Sequence, residues 1–199
     1  LAGLEPGRTY RYSVECGADE AHGSFRTAPV KGSDEPLRFV VYGDTRSYPE
    51  RHRTVMEAMS EHLPFAFLVN TGDLVSNGTV WSQWGREYFG PAASVLSHTS
   101  VWPVRGNHEQ DAVLYRKLFD LPHNEFYYSF DFGNVHVVGL DQYRTDSSAY
   151  LTVEERAEMA EWLNTLGVTG IVLKYRLVKH GYHHPAWLQD AQRAISYVR

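Results

Sequence analysis

The chain has 199 residues, 43% of them hydrophobic and 14% aromatic, enough to bury a core in one or two domains. A net charge of −5 leaves no basic stripe for nucleic acid, and no apolar run nears the roughly 18 residues that cross a bilayer. Cys16 is the only cysteine, which excludes an intrachain disulfide and a thiolate zinc cluster, so any metal ligands must be oxygen or nitrogen.

In chain order, Leu4-Glu5-Pro6-Gly7 is a turn feeding the alternating Tyr10, Tyr12 and Val14, a half-buried strand, and Phe25 to Pro29 reads as a short closing strand. The Leu-x-Pro-Gly-x-x-Tyr spacing resembles the tyrosine corner of fibronectin type III-like sandwiches, in which the hydroxyl bonds back to nearby backbone. Residues 1–30 are thus expected to be the last strands of such a module. Residues 31–36, small, polar and ended by Pro36, read as a linker, and 37–199 as an incomplete catalytic domain.

Beyond the linker, strands and helices alternate. Strands are expected at 37–43, 65–69 and 101–104. They are followed by helices from Pro49 to about His62, at about 80–97 and at about 111–119, the first with Val55, Met56 and Met59 on one face. Two β-rich runs flank Gly133-Asn134, a hairpin signal. Thr152 and Glu155 form a capping box for a helix to about Leu166, and 171–178 is strand-like again. The expected fold class is α/β, a sandwich of two mixed sheets flanked by helices.

Each of the three strands ends in a residue suited to metal or acid-base chemistry: Gly43-Asp44, Gly72-Asp73 and Gly106-Asn107-His108-Glu109. Successive ends lie roughly 30 residues apart, about one strand-loop-helix unit, so a parallel sheet would bring them to one edge. Glycine before each ligand lets the chain turn sharply off its strand through positive φ. Carboxylate, amide and imidazole ligands suit Mn, Fe or Zn. Two ions about 3.5–4 Å apart would need a bridging carboxylate, for which Asp73 on the middle loop is the candidate.

In this order and spacing the three motifs resemble the calcineurin-like metallophosphoesterase superfamily. The layout with a preceding fibronectin-like fragment is similar to that of purple acid phosphatases and their bacterial relatives. The resemblance implies hydrolysis of phosphate esters, as a phosphomonoesterase, by metal-activated hydroxide. It implies two transition-metal ions, with Asp44 on the first, Asp73 bridging, Asn107 and His183 on the second, and His108 assisting the leaving group. The implied partner is a phosphorylated small molecule, and an extracytoplasmic location follows from the resemblance alone.

Three departures qualify it. Arg46 stands where many members carry a histidine; it reads either as a phosphate-gripping guanidinium or as a solvated loop residue. Ser76 stands where purple acid phosphatases place a metal-binding tyrosine, so no purple colour is expected. No closing Gly-His-x-His occurs and Leu1 is not a methionine, so the chain is expected to be cut at both ends and to bind a metal pair weakly or not at all. His52 would complete the first-metal set or simply sit on a helix face. The alternatives are a phosphodiesterase of the same superfamily, or a non-catalytic binding protein with a degenerate site.

Overall fold

A computed structural model describes residues 3–110, 113–123, 125–141 and 152–165. The chain divides into two compact units, Leu1–Tyr150 and Leu151–Arg199. In the second, one helix is described, α5 (Val153–Thr165). The strand expected at 171–178 lies outside the described residues.

The first unit begins with an antiparallel hairpin of β1 (Thr9–Cys16) and β2 (Asp19–Arg26), turned at Gly17 and Ala18. The closing strand thus starts earlier than its aromatic content suggested, because a two-residue turn pairs Cys16 directly with Asp19. The Tyr10 hydroxyl accepts the Glu5 N–H at 2.9 Å, bonding back to the turn just upstream. The hairpin is fastened elsewhere too: Ser24 N–H donates to the Ser97 carbonyl at 2.8 Å, and Arg26 pairs with Glu35 at 2.7 Å.

Three short strands, β3 (Val40–Tyr42), β4 (Leu68–Asn70) and β5 (Val101–Pro103), form a parallel sheet in that order. Their register pairs Val40 with Leu68 and Leu68 with Val101, so all three ends fall level. α1 (Pro49–Ser60) starts on Pro49, whose missing N–H costs nothing at a helix start. Its inward face is His52, Met56 and Met59, while Val55 is half exposed, because an i, i+4, i+7 row turns Val55 away.

The stretch expected as one helix over 80–97 is a composite of α2 (Trp81–Gln83), a π-helical turn at Trp84–Phe89, and α3 (Gly90–Leu96). Met56 and Phe65 pack with Leu68, Ala92 and Val95 between these helices and one sheet face. Burying each large side chain there is worth about 1.5–3 kcal/mol. α4 (Val113–Leu118) follows β5.

On the other face lies the hairpin of β6 (Tyr128–Phe132) and β7 (Val135–Gly139), turned at Gly133 as its sequence predicts. Phe130 stacks on Trp102 with ring centres 3.8 Å apart, and Phe67 meets Phe130 and Phe132. Sheet therefore packs on sheet, the arrangement expected of the sandwich.

Candidate active site at the sheet edge

Level strand ends place the following loops side by side. Asp44 N–H donates to the Gly72 carbonyl at 2.9 Å and Arg46 N–H to the Asp73 carbonyl at 3.2 Å, which ties the first loop to the second. His108 N–H donates to Asp73 Oδ1 at 3.1 Å and ties the third to the second. Asp44, Asp73 and His108 are thereby brought together. Asn107, on the same short 3-10 turn as His108, is exposed.

Local chemistry explains the turns. Asn70, fully buried at the end of β4, accepts the Gly72 N–H on its side-chain oxygen at 2.9 Å, a two-residue Asx turn. Gly72 then takes φ +99, but Gly106 stays extended at φ −98, and left-handed backbone falls on the aspartates instead: φ 53 at Asp44 and 55 at Asp73. The expectation of positive φ at every glycine is thus corrected. Gly106 is needed for room, since a Cβ there would strike the Asp73 carboxylate and backbone.

Two buried carboxylates outside the predicted ligand set hold the loops. Glu109, with no exposed surface, accepts Gly106 N–H at 2.6 Å and Asp73 N–H at 3.0 Å on Oε2, and Leu74 N–H at 2.8 Å on Oε1. Burial pushes its pKa up; the N–H groups of Gly106, Leu74 and Asp73 pull against it without reversing the direction. Glu87, on the π-helical turn, accepts Ser76 N–H at 2.7 Å and Ser47 N–H at 3.4 Å on Oε2, and pairs with Arg86 at 2.7 Å. Burial pushes this carboxyl up as well, but Arg86 and the Ser76 and Ser47 donors outweigh it and hold it below its ordinary value.

His108 Nδ1 lies 2.7 Å from the Ser76 carbonyl, which can only accept, so Nδ1 carries hydrogen and Nε2 is left for other chemistry. Ser76 Oγ meets Ser47 Oγ at 3.1 Å, so the residue in the tyrosine position laces two loops. His52 is buried between Tyr42 and Tyr88, with Nδ1 on the Glu87 carbonyl at 2.9 Å. It occupies a helix face pointed into the core. Behind the third loop, Tyr115 and Tyr128 hydroxyls both donate to the Pro103 carbonyl, at 2.7 and 2.9 Å. Arg105 forms a fully buried ion pair with Asp141 at 2.8 Å. His183 lies outside the described residues.

Arg46 sits between the two aspartates. Its Nε is 3.2 Å from Asp44 Oδ1 and 3.3 Å from Asp73 Oδ2. A family model for calcineurin-like phosphoesterases matches residues 37–196. The chain belongs to the calcineurin-like phosphoesterase family. Purple acid phosphatase 21 of Arabidopsis thaliana is 29% identical over 176 residues, covering 80% of this chain and 37% of that protein. Purple acid phosphatase 15 of the same plant is 26% identical over 208 residues, covering 82% and 36%. The chain thus spans little more than a third of each of these relatives. A solved purple acid phosphatase from yellow lupin (Lupinus luteus) seeds superposes with a TM-score of 0.62 at 19% identity, over 83% of this chain and 35% of that one, and so shares its fold.

This phosphoesterase family implies metal ions, and the donors present fit them unevenly. Asp73 and Asn107 carry oxygen donors on the second and third motif loops. Among the described residues, however, no group of three or more His, Cys, Asp and Glu side chains gathers around one point. Between the Asp44 and Asp73 carboxylates stands the Arg46 guanidinium.

Glu87 was not singled out from the sequence. The one signal was an acidic residue inside the aromatic stretch Trp84 to Phe89, where a solvated side chain would be out of place.

Proposed function

We propose that this chain carries the hydrolytic centre of a phosphomonoesterase, with Asp44, Asp73, Asn107 and His183 as the metal-ligand set, His108 as the catalytic acid, and Arg46 as the phosphate-binding residue. The observation that carries the reading is the convergence of the three motif loops on Asp73, whose carboxylate touches both His108 N–H and Arg46 Nε. A metal ion held by Asp73 and Asn107 would supply a bound water of lowered pKa.

The chain's own residues do the rest. His108, its Nδ1 committed to the Ser76 carbonyl, presents Nε2 as the proton-carrying atom for a leaving alkoxide or phenolate oxygen. Arg46 is anchored through Nε, and its Nη groups, which have no partner among the described residues, suit the paired oxygens of a phosphate. Glu109 and Glu87 hold the loops in register before any substrate arrives. An N-terminal fibronectin-like fragment over residues 1–30 joined by 31–36, and an extracytoplasmic location, belong to this reading and rest on the resemblance.

The test is release of nitrophenolate from para-nitrophenyl phosphate in the presence of Mn, Fe or Zn. Asp73→Asn is expected to reduce the rate to background with unchanged circular dichroism. An undiminished rate in that variant removes Asp73, and with it the site, from the assignment.

A further inference from the structure

Of the two ions implied by the family resemblance, the geometry points to only one, and we propose that the Arg46 guanidinium is the permanent cation of the other position. This rests on the reading above and revises it at one residue: Asp44 is the partner of Arg46 and not a metal ligand.

Asp44 and Asp73 leave the ends of β3 and β4 on neighbouring loops, and their carboxylates face the same point. That point is held by Arg46 Nε, 3.2 Å from one and 3.3 Å from the other. The placement is not a side chain swinging free. Arg46 main-chain N–H donates to the Asp73 carbonyl at 3.2 Å, and the neighbouring Thr45 hydroxyl donates to the Leu74 carbonyl at 3.2 Å. The root of the side chain is thereby stitched to the loop that carries the second carboxylate. Its guanidinium is about one-third exposed, while the Asp73 carboxylate is mostly covered, so the pair is shielded from solvent on one side.

A divalent ion bridging the same two carboxylates would have to stand against this guanidinium, and two cations in contact repel strongly at partly buried sites. Arginine is charged at every accessible pH, so it does not yield the position by losing a proton. Arg46 performs both tasks that an ion there would perform. It neutralises Asp44 and Asp73 through Nε, and its fork of Nη donors can hold two phosphate oxygens. The single metal ion is left to the position that the reading above assigns to Asp73 and Asn107.

The experiment is metal loading of the 199-residue chain with Mn2+, read by calorimetry and by elemental analysis after desalting, with electron paramagnetic resonance on the loaded protein. Wild type is expected to hold one ion per chain with an isolated-ion spectrum. Arg46→His, which replaces the cation with a neutral ligand, is expected to hold two ions with a spin-coupled spectrum, while Arg46→Lys, which keeps the charge, stays at one. Circular dichroism melts establish that each variant is folded. Two ions in wild type, or one in Arg46→His, overturn the proposal and leave the phosphoesterase reading in place. No ion in any of the proteins overturns both.

Discussion

Replacing Glu109 with glutamine tests whether the buried carboxylate, and not loop packing alone, holds the site. The change keeps size and shape but leaves one acceptor oxygen where there were two. Oε2 receives Gly106 and Asp73 N–H at 2.6 and 3.0 Å, and Oε1 receives Leu74 N–H at 2.8 Å with Val75 N–H more distant at 3.5 Å. Whichever way the new amide is turned, its NH2 faces N–H donors. Turned one way it strands Gly106 and Asp73; turned the other it strands Leu74 and Val75. Each buried N–H left without an acceptor costs about 1–3 kcal/mol, a gross loss of about 2–6 kcal/mol. Removing a carboxylate whose pKa burial already pushes upward returns part of this, so a net loss of about 2–4 kcal/mol is expected. Equilibrium urea unfolding near neutral pH with linear extrapolation measures it. A loss under about 1 kcal/mol with an unchanged slope refutes the reasoning, since the loops would then keep their turns without the clasp.

Two further outcomes follow from the same geometry. Arg105→Met removes the guanidinium that pairs with the Asp141 carboxylate, whose side chain is 1% exposed, and a loss of about 3–5 kcal/mol is expected in thermal or urea unfolding; adding Asp141→Leu should restore most of it, and a single variant as stable as wild type counts against the pair's role. Burial holds the His52 pKa below its usual value of 6.5, so as pH falls the unfolded chain takes the proton first. The stability contributed by the neutral ring is complete above about 6.5 and is lost as pH drops from there through the folded pKa. Between about pH 7 and pH 5, wild type should therefore lose more stability than His52→Gln, and parallel curves for the two would contradict this.

How much of this was legible in the sequence follows from which interactions have a period or a spacing. The parallel order of β3, β4 and β5 could be read because short apolar runs alternate with helical stretches, and the level strand ends then bring Asp44 and Asp73 together without further information. The π-helical turn broke the expectation of one helix over 80–97, and no pattern in the residues marks a widened turn. Glu87 and Glu109 act through backbone N–H groups of loops up to 40 residues away, and every residue but proline has such a group, so nothing in their partners' identities reveals the pairing. Arg105 is similar: beside Gly106 it reads as an ordinary loop cation, and only the fold brings Asp141 to it.

The backbone of the two aspartates bears on how the assignment must be tested. Asp44 and Asp73 both adopt left-handed φ, a region that costs most side chains about 1 kcal/mol or more and that asparagine and aspartate tolerate best. Strain of this kind persists only where surrounding bonds fix it, and here the Gly72 carbonyl holds Asp44 N–H while Glu109 holds Asp73 N–H. An alanine at either position would remove the carboxylate and the conformational tolerance together, so lost activity could come from a displaced loop. Asparagine removes the charge and one acceptor, keeping a single oxygen for either His108 N–H or Arg46 Nε, which bond to Oδ1 and Oδ2 of the aspartate, and it keeps the tolerance of the left-handed turn. Asp73→Asn folded but inactive, beside Asp73→Ala inactive and destabilised, separates the carboxylate's chemical role from its part in holding the turn. Equal stability in the two would mean that the left-handed backbone at Asp73 carries no strain for asparagine to spare.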